Sequence, residues 1–494
     1  MSLRRLGWLA AVALAALLEI SCGQVYRPVV IPNGNTPPNP ESFHEVFGIS
    51  ANVPFNPGTA LQIDVAGDTD IGAANMGINP THIGILPNNS RVFVTSAGSM
   101  FQGDADLVAG FTPAADSSTA TGLGTVTTFS LPYGSLPVYV TTTQNSSLYV
   151  ADYGSNSVSF LNPASNVVTL TSPAGAQPVA LAETFDARHL YVLDQGSNSI
   201  SDLSPTDLTM QGSIPVGDTP TWAVVRPDDQ RLYVITQGDG QLYTISIASN
   251  TVLSTQAVGG PGANFVLFDK SQDRLYVTNP TAGSVYIFDA TSDPPTPVGT
   301  LAIPAPPVSQ SVTACATNTC TYSAVMPVSV AALPDGSRFY VASYVMGTAA
   351  SNPASCPDVT IPNAGCVIPQ VTVYDAVSLT VKTTVFPLLP ATATAQPFAA
   401  APATYCAPVF PYTPTSARFR MSAVAATDSS RVYAAVCDGG FIAIINTTTN
   451  TITAGGTNTP DTLVTDLDTP FSAGAAGPSG QPPLQNPIFL ITGQ

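Results

Sequence analysis

The chain has 494 residues with 46 Pro and 38 Gly, is rich in Val, Ile, Thr, Tyr and Phe, and lacks long Ala/Leu/Glu/Lys runs. This favours one long all-β array punctuated by turns over several mixed domains. A net charge of −17 with only two lysines, Lys270 and Lys382, leaves no basic patch able to neutralise a phosphate backbone, which excludes nucleic acid as a partner.

Residues 1–22 are ordered as an export signal, with Arg4 and Arg5, an apolar core from Leu6 to Leu18, and then small residues. That core of about 13 residues falls short of a bilayer span. Its end, "LEISC", resembles the lipobox of bacterial lipoproteins, although Glu19 stands where that motif carries Leu. The resemblance implies lipid on Cys22 and an exported protein held at the outer membrane, in the periplasm or on the cell surface; plain cleavage after Gly23 is the alternative. Residues 23–58, containing "IPNGNTPPNPE", read as a Pro-rich spacer, and 59–494 as the folded body.

Within the body one short strand recurs. Its aromatic falls at Phe93, Tyr149, Tyr191, Tyr233, Tyr276, Tyr340, Tyr433 and, in "PIFLITG", Phe489. The clearest unit, "TPTWAVVRPDDQRLYVITQGDGQLYTISIASNTVLSTQAVGG", holds four strand-like runs separated by turns, the period of a propeller blade. These units resemble YVTN-type β-propeller repeats, with "YVTN" itself at Tyr276–Asn279. The resemblance implies a ring of four-stranded blades and, because the repeat hosts many roles, little about chemistry.

The fold expected is a single all-β propeller of eight blades, with seven the alternative count. The recurrent G-x-x-P stretches (Gly77–Pro80, Gly134–Pro137, Gly175–Pro178, Gly217–Pro220) mark the turn into each next inner strand, and Arg91, Arg231, Arg274, Arg338 and Arg431 read as turn-pairing residues. At the ends, "LQIDVAGDTDIGAANMGINP" matches third and fourth strands, while "DTLVTDLDTP" and "NPIFLITGQ" match first and second. One blade is therefore expected to be shared by both termini, shutting the ring.

Interruptions of the repeat are expected at 96–106, 302–326, 345–370 and 388–419 on one face, and at 467–486 on the other. Loops gathered over a rigid ring are where binding usually resides. Five cysteines fall in them and Cys437 ends a strand on the same face, and in an exported chain the six read as disulfides, Cys315 with Cys320, Cys356 with Cys366 and Cys406 with Cys437, one choice among fifteen. Zinc is disfavoured because paired C-x-x-C and nearby His are missing. Tyr322, Tyr344, Tyr405, Phe410, Tyr412 and Asp438 are the candidate recognition residues.

Chemistry is sparse. His44, His82 and His189 are the only histidines, and no G-x-S-x-G, H-E-x-x-H or P-loop occurs, so no catalytic residue or cofactor is assigned. Quinone-dependent propellers carry a recurrent Trp docking motif, which Trp222 alone does not supply. Asp64, Asp68, Asp70, Asp104 and Asp106 are weak calcium candidates against a turn-forming role, and no metal is assigned. The sequence thus points to a binding module for a protein or glycan of the cell envelope, membrane-associated through a lipid anchor and not expected to be an enzyme. A lactonase-like hydrolase or lyase with its site at the ring axis is the alternative.

Overall fold

A computed structural model describes residues 45–493 outside the segments 53–56, 66–67, 99–105, 115–122, 143–146, 307–319, 350–365, 388–402, 449–459 and 469–485. The signal segment, Cys22, His44, Asp104, Cys315 and Cys356 lie outside the described residues, as do the side chains of Asp70, Cys320, Tyr322 and Cys366.

The strands form eight antiparallel sheets of propeller type. From axis to rim, blade 2 is Pro80–Ile85, Val92–Ser96, Leu107–Phe111 and Thr127–Ser130. Blades 3 to 6 follow with innermost strands Pro137–Thr142, Pro178–Glu183, Pro220–Val225 and Phe265–Asp269. Blade 7 starts at Met326–Ala332, and its next two strands, Arg338–Ala349 and Cys366–Asp375, run on together as far as Gly347 opposite Cys366. The short strand Cys320–Tyr322 pairs against that extension. Blade 8 is Met421–Ala425, Arg431–Val436, Phe441–Asn446 and Thr462–Asp468.

Blade 1 is indeed shared by the two ends of the chain, but one strand to three rather than two to two. Pro487–Thr492 is innermost, followed by Glu45–Ser50, Pro57–Asp64 and Thr69–Ile78. Three expectations change with it. The segment read as spacer to residue 58 contains a full strand, Glu45–Ser50, whose "EVFGIS" is buried along nearly its whole length. The eighth recurrent aromatic is Phe47 and not Phe489, which lies at the axis. Thr462–Asp468 closes blade 8, so 467–486 joins a fourth strand to a first and starts from the same face as the other insertions.

The recurrent strand packs the blades against one another. Phe47, Phe93, Tyr149, Tyr191, Tyr233, Tyr276, Tyr340 and Tyr433 are all within 2% of complete burial, each covering on the order of 150–250 Å² in the interface between blades. The position before the strand completes a polar belt on the face opposite the insertions. Arg91 reaches Asn166 of blade 3 (2.9 Å), Arg231 reaches Asp293 of blade 6, and Arg274 the Ala376 carbonyl of blade 7. Arg338 reaches Asp461 of blade 8 (2.6 Å), and Arg431 reaches Asp68 of blade 1 (2.9 Å).

Other residues make the remaining belt joints. Tyr149 donates to the Pro205 carbonyl of blade 4, and Tyr191 to Asn250 of blade 5 (2.8 Å). Gln62 of blade 1 exchanges two hydrogen bonds with the Ala114 backbone of blade 2. His189, at the arginine position, instead pairs with Asp202, which Asn250 also contacts. The expected turn-pairing arginines are thus ties between blades.

The G-x-x-P turns share one backbone device. Asn79, Leu136, Gln177 and Thr219, each immediately before the proline, adopt left-handed φ of 55°, 47°, 54° and 59°. The chain thereby drops from the rim of one blade to the axis of the next in a few residues, and the proline sets the direction of the new strand.

Candidate functional site

Each innermost strand enters the ring at the insertion face, because it follows the loop from the preceding fourth strand. That end of the axis is closed by residues 403–420, a single helical turn, Ala403–Cys406, followed by an irregular stretch. Ties from several blades hold this plug. The Cys406–Cys437 disulfide joins it to blade 8, Asn79 Nδ2 donates to the Pro414 carbonyl (2.5 Å), and the Tyr405 hydroxyl donates to Asn79 Oδ1 (3.1 Å). Gln195 of blade 4 donates to the Tyr412 carbonyl (3.0 Å) and accepts from its N–H (3.2 Å). Asn486, where the 467–486 insertion rejoins the fold, donates to the Cys437 carbonyl (3.1 Å), which places that end beside the plug.

The predicted recognition residues are mostly packing for this structure. Tyr344, Tyr405 and Tyr412 are 6%, 5% and 4% exposed. Tyr344 carries the Arg420 guanidinium 5.0 Å from its ring centre, and Asp438 forms a 2.7 Å ion pair with Arg420, with its carboxyl raised by burial. Only Phe410, half exposed, presents an aromatic face to solvent among the described members of that set. The reason is physical: an apolar plug on a ring must bury its aromatics to stay seated. Two of the calcium candidates are engaged elsewhere. Asp68 is clamped by Arg431 Nε and Nη2, both at 2.9 Å. Asp106 is buried, which raises its carboxyl, and it accepts backbone N–H groups from Leu136, Gly134 and Ser135. Asp64 ends the strand Pro57–Asp64. Among the described residues no cluster of three His, Cys, Asp or Glu could hold a metal.

Below the plug an aromatic and cationic group converges on the axis. Trp222 lies 5.4 Å from Phe265, 5.4 Å from Phe419 of the plug and 6.0 Å from Phe489. His82 stacks on Tyr139 at 3.8 Å and lies 4.8 Å from Phe489. The Arg418 guanidinium lies over Tyr412, Trp222 and Tyr139 at 4.6, 5.4 and 5.7 Å, and Arg418 Nη2 donates to the Val179 carbonyl. Its Nη1 is buried and makes no hydrogen bond among the described residues. Burial lowers the Arg418 pKa from its ordinary value, and burial raises the Tyr139 hydroxyl to about 12.

Burial, and then the Arg418 charge, lower the His82 pKa well below the usual imidazole value, so the ring is neutral at neutral pH. Its Nδ1 lies 3.4 Å from the Val140 N–H, at the long edge of hydrogen-bond distance.

Access comes from the belt face. Several innermost strands are partly exposed towards the belt face, at Thr141 and Thr142, Ala223 and Val224, and Ile491 and Thr492, while Phe265 and Met326 are partly exposed at the plug-side starts of theirs. Tyr139 and Arg418 also keep part of their surface accessible. Among the described residues the axis is a blind well, floored by the plug. Trp222 and His82 were visible in the sequence; Arg418 and Gln195 were not. The one signal for Arg418 was "RFR" at 418–420 in a chain with 14 Lys and Arg.

The fold and site define the class as an eight-bladed β-propeller. No protein-family model matches the chain, and no curated protein matches it either. Among solved structures it is similar to the dihydro-heme d1 dehydrogenase NirN, at 10% identity and TM-score 0.57 over 93% of this chain and 76% of that one. It is also similar to the periplasmic gluconolactonase PpgL of Pseudomonas aeruginosa, at 14% identity and TM-score 0.48 over 69% and 94%. A third likeness is to a putative 6-phosphogluconolactonase of Bacteroides fragilis, at 16% identity and TM-score 0.49 over 71% and 95%. At these identities the likeness extends to the fold alone.

Proposed function

We propose that the chain is an exported, lipid-anchored propeller of YVTN-type repeats that acts as a binding module in the cell envelope, with the axial well as its binding site. The observation that carries the reading is Arg418, a guanidinium held among three aromatic rings with no acidic partner among the described residues. It stands beside a neutral His82 and two tyrosines, so the group offers a charge and hydrogen-bond donors to a ligand. The anchor and the export route rest on residues 1–22 and Cys22; a Cys22→Ser chain expressed in a Gram-negative host should leave the membrane fraction.

A lactonase-like hydrolase is the second reading, favoured by one feature, the convergence of His82, Tyr139 and Arg418 on the axis. The two readings part in a pH-stat assay with aldonolactones. The binding reading expects no hydrolysis above the buffer rate; turnover that His82→Gln abolishes would overturn it.

A further inference from the structure

Most buried or partly buried arginines elsewhere in the ring have an acidic partner, while Arg91 and Arg274, partly exposed at the rim, bond to neutral acceptors of the next blade. Arg431 is paired with Asp68, Arg338 with Asp461, Arg420 with Asp438 and Arg231 with Asp293. Arg418 has none among the described residues. Its polar neighbours are the Val179 carbonyl, the Tyr412 side chain, which hydrogen-bonds to it, and the Tyr139 ring, and the neutral His82 imidazole stands near enough to feel its charge. An interior charge left this way is costly, and three aromatic faces repay only part of the cost. A protein with net charge −17 has acids to spare, yet none stands here, so the charge is held for something that arrives from outside.

From this geometry we infer that the axial well binds a small organic monocarboxylate, its carboxylate on Arg418 and its apolar body against the partly exposed rings of Phe265 and Phe489. The inference rests on the binding reading given above. The free Nη1 supplies a donor on the edge of a planar guanidinium, the geometry that matches a planar carboxylate. The Tyr139 and Tyr412 hydroxyls stay protonated near neutral pH, since burial raises both, and remain donors. One guanidinium with a neutral His82 gives a single positive charge, which balances a monoanion; a phosphate dianion would leave one negative charge unpaired in the well. The walls are apolar and aromatic, which suits a short aliphatic or aromatic acid over a polyhydroxylated one.

The structure supplies its own reporter. Trp222 lies 5.4 Å from the Arg418 guanidinium, and the only other tryptophan is Trp8. The full chain carrying Trp8→Phe therefore reports on the well by Trp222 fluorescence, titrated with acetate, butyrate, benzoate, inorganic phosphate and glucose at constant ionic strength. Saturable quenching by butyrate or benzoate is expected, with phosphate and glucose at least tenfold weaker. Arg418→Gln should abolish the response while raising the thermal midpoint of the ligand-free protein, because it removes an uncompensated charge. Benzoate should raise the midpoint of the Arg418 protein and leave that of the Gln variant unchanged.

A saturable response to glucose with none to the acids would overturn the carboxylate and leave the binding reading standing. Lactone hydrolysis would overturn the binding reading itself. No saturable response to any acid, or an Arg418→Gln protein that still binds benzoate, would overturn the inference. Should Arg418→Gln misfold, Tyr139→Phe with Tyr412→Phe removes two donors and keeps the rings; affinity for benzoate should then fall about tenfold, and an unchanged affinity would count against the site.

Discussion

Asp68→Ala removes one partner of the joint that fastens blade 8 to the chain's own N-terminal strands. Asp68 and Arg431 keep 6% and 8% of their side-chain surface exposed, and the carboxylate takes two guanidinium nitrogens at 2.9 Å with the Tyr433 hydroxyl beside it at 3.4 Å. Truncation strands the guanidinium against Asn446 in the interior, for which breaking a buried pair costs ~3–5 kcal/mol. The comparable tie between blades 5 and 6, Arg231 with Asp293, is 17% and 36% exposed, so Asp293→Ala belongs with surface pairs at ~0–1 kcal/mol. Urea unfolding of the two variants measures the difference directly. A shift in midpoint concentration at unchanged slope is expected for both, several-fold larger for Asp68→Ala. Equal losses, or a loss at Asp68 below about 1 kcal/mol, would refute the claim that burial makes this joint matter more than its counterpart.

Reduction, or Cys406→Ser, frees the plug from blade 8. Closing a loop across a sequence separation of 31 is worth ~3–4 kcal/mol in the chain-entropy account, read as the difference in unfolding midpoint with and without reductant; no difference would show that the plug is seated by packing alone. Asn79 combines a left-handed φ with two bonds to the plug. Asn79→Ala should therefore cost more than Asn79→Gly, by ~1 kcal/mol, in the same measurement. Burial holds the Asp152 and Asp194 carboxyls up at about 7 and Glu183 at about 8. The folded protein thus keeps protons that the unfolded chain has already lost, and the stability they contribute disappears as pH rises through 7 to 8. Thermal midpoints should fall between pH 6.5 and pH 9, and Asp194→Asn should flatten that fall; a midpoint that climbs over this range would reverse the argument.

The blades were legible in the sequence because packing between them demands a large aromatic at one fixed position, from Phe93 to Tyr433, and turns with left-handed residues before Pro80, Pro137, Pro178 and Pro220. Closure was legible in kind and misassigned by one strand. "PIFLITG" carries an aromatic in a strand just as "RLYVITQG" does, and the same pattern serves the axis and the blade interface. "EVFGIS" was hidden since its Gly48 leaves only Phe47 to carry the signal; a Cβ at Gly48 would come within 2.7 Å of Leu490. The site was less legible still. Tyr344, Tyr405 and Tyr412 look the same in sequence whether they face solvent or an arginine, and Arg418 sits in an insertion where no repeat exists to align it.

In blade 1 the strand nearest the axis follows all the other described strands of the ring in sequence. Pro487–Thr492 pairs with Glu45–Ser50, made more than four hundred residues earlier, whereas every other blade draws its strands from neighbouring chain. Bringing such distant segments together costs ~2 kcal/mol more in loop entropy than closing a blade-sized stretch, and long-range pairing of this kind slows folding. A nascent chain can therefore stack its blades one after another as an open arc, while the axial well acquires its full wall only when the final strand slots into place.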